Sequence, residues 1–258
     1  MTTDATGNSI DLNADIGEGF GAWSMGDDAA LLDVVTSANI ACGFHAGDAS
    51  IMRRTCESAV VRGVVIGAHV SYRDLEGFGR RDLAVPADQL ADQILYQIGA
   101  LDAISRAAGT TLRYVKAHGA LYNRCAYDDE HAGALLRALR AHGGTLELLA
   151  APGSVVASLA SAEGVRCVTE GFVDRAYRAD GTLVPRGDAN AVHETSAACI
   201  AQAMSIARDG NVVTADGRTF ALTAESLCVH GDTPHAVATA RMVRDSLRAA
   251  GIALRSFA

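Results

Sequence analysis

Short apolar runs bounded by turn residues recur along the chain: "IDLN" from 10, "ANIACGF" from 38, "GVVIGAHV" from 63, "LRYVKAH" from 112, "LELLAAP" from 146, "GVRCVTEGF" from 164 and "SLCVHGD" from 226. Runs of this length read as buried strands. Helical spacing fills the intervals. Ile51, Met52, Cys56, Ala59 and Val60 share one side of 49–62, and Leu90, Ile94, Leu95, Ile98, Leu101 and Ile104 share one side of 87–108. Asp48 and Thr233 suit N-cap positions, Pro234 suits a first helical turn, and Gly63, Gly109, Gly143, Gly164, Gly210 and Gly251 follow last turns. Strand and helix alternating seven times implies parallel strands joined by crossover helices, because parallel neighbours cannot be linked by a tight turn. The pattern predicts a seven-stranded parallel β/α barrel, closed or nearly so. In "NVVTADGRTFALT" (211–223), Asp-Gly between alternating strands predicts an inserted hairpin, read as decoration. Residues 1–9 read as a loose polar arm and 10–258 as one domain.

Composition narrows the function. A chain of 258 residues with 49% hydrophobic side chains suits a single barrel with an extensive core. A formal net charge of -8, with no basic cluster beyond Arg53-Arg54 and Arg80-Arg81, argues against nucleic acid or anionic lipid as a partner. The six cysteines show no CxxC spacing and the start shows no signal pattern, so reduced thiols and a cytoplasmic location are expected. The longest apolar window, "LELLAAPGSVVASLASA", is interrupted by Pro-Gly and holds Glu147, which predicts no membrane span.

Chemistry in such barrels collects in the loops after the strand C-termini. His45, His69, His118 and His230 all fall there, in four different strands, together with Asp15 and the chain's single lysine, Lys116. A lone histidine at a strand end is most simply a hydrogen-bonded plug; four at one mouth favour a shared site. Asp15, His45, Lys116, His118 and His230 are therefore candidate catalytic groups. Asn13, Glu18, Asp48, Arg80, Asn123, Asp174, Arg175, Tyr177, Arg186 and Asp232, from the same loops, are candidate substrate-binding groups. His131, His142 and His193 lie in or beside helical patterns and are expected on solvated faces; His235 stays open. An ammonium ending a buried strand is costly unless an anion meets it, and lysine, unlike arginine, is compact and can lose its proton. Lys116 thus reads as a ligand-facing cation or as half of an ion pair with Asp15 or Glu18. The loop from 173 to 186 is long enough to act as a lid. No GxxxxGK[ST] or GxGxxG follows a strand, so the chain has no P-loop or dinucleotide fingerprint of its own.

The segments "DLNADIGEGFGAW", "SANIACGFHAGD", "GFGRR", "LYQIGAL", "KAHGALYN", "DRAYRADGTLVPR" and "CVHGDTPHAV" closely resemble the LamB/YcsF family across about residues 9–252. The resemblance implies a barrel related to the glycoside hydrolase/deacetylase superfamily. It also implies opening of the 5-oxo-L-proline (pyroglutamate) lactam to L-glutamate coupled to ATP hydrolysis, in complex with 5-oxoprolinase subunits B and C. On that basis Lys116 and one of Arg80, Arg175 or Arg186 would neutralise carboxylate or phosphate charge, His118 or His45 would shuttle protons, and Asp15 would orient a histidine or water. The family usually has His-Pro-Gly where this chain has His69-Val70-Ser71, and Lys-Pro-His-Gly where it has Lys116-Ala117-His118; the reacting side chains persist while the rigid turns do not. "NADIG" and "GAH" are also similar to metal-binding segments of barrel carbohydrate deacetylases, which implies Asp15, His69 and His118 as ligands of a divalent ion, with His45 as a substitute. The alternatives are a stand-alone metal-dependent amidohydrolase or deacetylase, and a non-catalytic subunit that binds a small acid.

Overall fold

The computed structural model describes residues 9–231 and 235–258. Its strands are β1 (Ser9–Ile16), β2 (Ser37–Ala41), β3 (Val65–Val70), β4 (Tyr114–Ala117), β5 (Glu147–Ala150), β6 (Cys167–Phe172), β7 (Asn211–Val213), β8 (Thr219–Ala221), β9 (Ser226–Val229) and β10 (Ala253–Leu254). The first six strands and β9 pair in parallel in the order β1-β2-β3-β4-β5-β6-β9, and β9 returns to β1 with Asp11 opposite Ser226 and Ala14 opposite Val229. The barrel is therefore closed and seven-stranded, at the seven expected segments. The short β10 continues beside the start of β1.

The two helices read from periodicity appear as Ala49–Arg62 and Ala87–Ala107. Asp48 caps the first by accepting from the Ile51 amide at 2.8 Å, and Gly63 ends it at φ 67°, a left-handed turn that a Cβ would strain. Thr233, Pro234 and Asp232 lie outside the described residues. So does the expected arm, apart from Ser9, which opens β1.

Alternation along β1 explains how the barrel is filled. Ile10, Leu12, Ala14 and Ile16 join the main apolar core, while Asp11, Asn13 and Asp15 are also buried, in a hydrogen-bonded network with partners from other barrel strands. Lower in the barrel, Tyr114, Leu149 and Val168 form a separate apolar cluster against Phe257 and Ala258 near the C-terminus. Gly67 makes room for it, because a Cβ there would sit 2.2 Å from the Tyr114 ring. Two residues further along β4 and β6 come Lys116 and Glu170, so the period-two geometry of strands sets a charged layer directly above an apolar plug.

Two expectations need correction. The β7–β8 hairpin is more than decoration: Phe220 lines the mouth cavity and packs where a Cβ on Gly181 would stand, at 2.4 Å. His131 is not solvated; it is 4% exposed and bonded to the Tyr72 hydroxyl at 2.9 Å and the Val85 carbonyl at 3.1 Å. All six cysteines are free, and no helix among the described residues is long and apolar enough to cross a membrane.

Candidate active site at the barrel mouth

A cavity of about 760 Å³ opens at the C-terminal ends of the strands. Asp15, His69, Lys116 and Glu170 come from strands β1, β3, β4 and β6, while His118 and His230 immediately follow β4 and β9. Glu18, Arg80, Asn123, Arg175, Tyr177 and Arg186 also line it. The 173–187 loop supplies much of the outer wall, tied to itself by a bridge between Tyr177 and Leu183 and to the segment that follows by one between Arg175 and Val192.

Lys116 sits at the floor, 2% exposed, with Nζ 3.0 Å from Glu170 Oε2 and 3.3 Å from Asp15 Oδ1. Cys228 Sγ at 3.2 Å, Asn13 Oδ1 at 3.4 Å and the face of Phe172 at 5.2 Å complete its surroundings. Burial alone would push its pKa down, but Asp15, Cys228 and Glu170 more than offset this and hold it well above the usual lysine value. Lys116 is therefore a fixed cation and not the titrating group its size suggested. Its carboxylate partners are Asp15, as expected, and Glu170, which the sequence pattern did not single out; Glu18 faces the histidines instead. Burial likewise opposes ionisation of Asp15, yet His69 and Lys116 keep its carboxyl well below the usual range.

A second cluster occupies the β1–β4 side. His118 donates from Nε2 to the Phe78 carbonyl at 2.9 Å, and His69 Nδ1 faces the Lys116 carbonyl at 3.3 Å. The inner nitrogens, His69 Nε2 and His118 Nδ1, face each other at 2.9 Å. Carboxylate oxygens flank them: Asp15 Oδ2 lies 3.3 Å from His69 and Glu18 Oε1 lies 3.5 Å from His118. His45 stacks on His118 with centroids 3.8 Å apart, reaches Glu18 at 3.1 Å, and leaves its Nδ1 without a partner. Burial pushes the His45 pKa down to about 3 and, with His45 and His69 adding to it, holds His118 well below its ordinary value. The neutral forms of His45 and His118 are thereby favoured, which makes both weak bases for the proton shuttling expected of them.

Outer nitrogens on carbonyls and inner nitrogens converging beside carboxylates are the arrangement by which proteins orient histidine ligands of a metal. Glu18, His45, His69 and His118 bring one donor atom each within 4.8 Å of one another, a set suited to Zn²⁺ or a similar ion. The expected trio changes accordingly. His69 and His118 are joined by Glu18 and His45, while Asp15 groups with Cys228 and His230.

His230 stands apart on the β6–β9 side. The buried Asp174 carboxylate accepts from its ring Nδ1 at 2.9 Å and from its backbone amide at 3.0 Å. Although burial opposes it, the His230 contacts lower the Asp174 pKa. A carboxylate on Nδ1 leaves Nε2 as the lone-pair nitrogen. The Asp174 carboxylate is thus engaged by His230, whose ring it orients. Four other assignments also move. Asn13 lies beneath the floor, bonded to Ser226 at 2.7 Å and accepting from Asn39 at 2.7 Å. Asp48 spends its carboxylate on the Ile51 and Gly21 amides. Arg175 lines the cavity, but its guanidinium donates to the Val184 and Ala191 carbonyls, and burial lowers its pKa to about 10. It therefore braces the wall, and Tyr177 does the same by accepting from the Phe172 amide at 2.7 Å.

Residues 10–258 match the LamB/YcsF family. The chain is 55% identical to the A subunit of 5-oxoprolinase from Kocuria rhizophila, over 96% of this chain and 99% of that one. It is 53% identical to the protein of the same name from Streptomyces coelicolor, over 96% and 100%. A crystal structure described as a lactam utilization protein from Thermus thermophilus superposes with a TM-score of 0.91 at 39% identity, covering 96% of this chain and all of that one. A family 4 carbohydrate esterase from Streptomyces lividans, at TM-score 0.52 and 14% identity over 98% of this chain and 94% of that one, shares the barrel fold.

Proposed function

This chain belongs to the LamB/YcsF family, and from that premise we propose that it is the barrel subunit of an ATP-dependent 5-oxoprolinase, holding 5-oxo-L-proline while the lactam is opened to L-glutamate. The observation that carries the proposal is the cavity floor, where a buried cation is locked between Asp15 and Glu170 beside a histidine oriented by Asp174. A lactam amide is a poor electrophile, and ring opening needs both activation of the carbonyl and a base for the attacking water. His230 Nε2 is the base, kept in the right tautomer by Asp174. Lys116 holds Asp15 and Glu170 in fixed orientation and supplies positive potential where charge develops on the lactam oxygen. Arg80, Arg178 and Arg186 on the wall provide the positive surface for the substrate carboxylate or for a phosphoryl group from ATP. The relatives' names support a multi-subunit enzyme; ATP use, the partner subunits B and C and a cytoplasmic setting belong to this same reading.

One observation favours a second reading, metal-assisted amide hydrolysis without ATP: the convergence of His69 Nε2 and His118 Nδ1 beside Glu18. Glu18, His45, His69 and His118 would hold a divalent ion, which when bound would polarise a carbonyl and acidify water. In either case the chain's own part is unchanged: Asp15 stays ionised, His45 and His118 stay neutral, and His230 handles the proton. The test is glutamate formation from 5-oxoproline by this chain mixed with partner subunits B and C. Turnover that requires ATP and survives chelator supports the first reading. ATP-independent turnover by this chain alone, abolished by chelator, supports the second.

A further inference from the structure

Two polar atoms at the cavity floor have no role in the machinery above. Glu170 Oε2 takes Lys116 at 3.0 Å and Asn13 Nδ2 at 3.4 Å, but Oε1 has no hydrogen-bond partner on a residue 1% exposed. The Tyr122 hydroxyl is also buried without a partner. Both side chains line the cavity. Burial, then the Glu170 charge and a close approach to Glu170 raise the Tyr122 pKa, so the two groups are neighbours without a well-formed hydrogen bond between them. Tyr122 stays protonated and can offer its O–H as a donor to a ligand carbonyl, while Glu170 Oε1 is an acceptor. A buried polar group left unpaired carries its full desolvation cost, and a ligand that satisfies both groups recovers it.

We propose that Glu170 and Tyr122 form a reader for the edge of a cis amide, with Glu170 Oε1 accepting the ring N–H of the substrate and the Tyr122 hydroxyl donating to its C=O. This rests on the lactam reading given above and adds what selects the lactam. A small ring forces its amide to be cis, which places N–H and C=O side by side on one edge. Open-chain secondary amides are almost entirely trans and present the two groups on opposite sides. An acceptor next to a donor therefore matches lactams and excludes ordinary peptide bonds. It also discriminates against the isosteric lactone, whose ring oxygen would meet the Glu170 carboxylate as acceptor against acceptor. Tyr122 lies in the short helix after β4, its ring edge-on to Phe172 with centroids 5.6 Å apart.

The test is calorimetric binding of 5-oxo-L-proline and of its lactone counterpart, 5-oxotetrahydrofuran-2-carboxylate of matching configuration, to the full chain. The wild type is expected to prefer the lactam by on the order of a hundredfold. Glu170→Gln should reverse the preference: Lys116 and Asn13 hold the new carbonyl oxygen at the Oε2 position, so the amide NH₂ replaces Oε1 and welcomes the ring oxygen. Tyr122→Phe should weaken both ligands by roughly tenfold and leave their ratio unchanged. Equal affinities in the wild type, no binding of either ligand, or a folded Glu170→Gln variant that still prefers the lactam would overturn the inference. Should Glu170→Gln fail to fold, unchanged binding by Tyr122→Phe would do so. Intact lactam selectivity in a chain whose complex does not turn over 5-oxoproline would instead sink the substrate reading alone.

Discussion

The two sides of the barrel mouth use histidine in opposite ways. On the β1–β4 side, His45, His69 and His118 crowd together within stacking and edge contact, buried, with outer nitrogens of His69 and His118 on backbone carbonyls. On the β6–β9 side, His230 borders open cavity and is held by a carboxylate. Burial that outweighs nearby carboxylates favours a histidine's neutral, lone-pair form, whereas a carboxylate accepting from one nitrogen leaves the other able to take a proton. The same residue type, at the same place on parallel strands, thus sits in a cluster that could hold a metal on one side and against an orienting carboxylate on the other. Lys116 joins the two sides through Asp15 and Glu170.

The largest effect is expected where that junction is cut. Lys116→Met leaves Asp15 and Glu170 buried without their cation, which should cost about 3–5 kcal/mol of stability, read as a lowered urea midpoint together with loss of turnover. Lys116→Arg should also lose turnover. Because Nζ already lies within 3.0–3.4 Å of four partners, the larger guanidinium overfills the floor and the melting temperature should fall as well. An unchanged melting temperature for Lys116→Arg would show that the floor has room to spare.

The comparison sharpens with Asp174→Asn. The amide cannot hold His230 as the carboxylate does, so turnover in the reconstituted complex should drop on the order of 10²- to 10³-fold with substrate affinity nearly unchanged. A change confined to KM would assign Asp174 to binding after all.

A smaller effect separates the buried histidines. His45 has a folded pKa of about 3 against about 6.5 when unfolded. Between those values the unfolded chain binds more protons, so stability rises with pH and is lost on acidification. Metal-free wild type should therefore lose about 1–2 kcal/mol more than His45→Asn between pH 7 and pH 5, measured as urea midpoints. Parallel losses in the two proteins would mean that His45 is not the group titrating.

Most of the fold was legible because buried parallel strands leave unbroken apolar runs and their helices end on glycine. The seven strands, both described helices and the hairpin stand where the pattern put them. The mouth was legible in part. Asp15, His69, Lys116, His118 and His230 reach one cavity with His45 stacked behind, since strand C-termini point the same way. Glu170 was missed because "CVTEGF" reads as a uniform apolar strand; its alternation of Val168, Glu170 and Phe172 was the signal that one face was the barrel interior. Asn13 was misplaced for the same reason, two residues below Asp15 on the same face. Asp174 and Asp48 were misassigned because spacing shows which loop an acid occupies but not whether backbone amides or a histidine already engage it.

That this chain carries lactam-opening chemistry, and does not merely bind the substrate for its partners, is tested most directly with His230→Gln. The variant replaces the wild-type chain in the complex with subunits B and C, and glutamate formation is measured alongside 5-oxoproline affinity. The expected result is a fall in glutamate formation of at least about a hundredfold, with affinity within a few fold of wild type. Wild-type rates of glutamate formation from the His230→Gln complex would contradict it and assign the chemistry to the partner subunits.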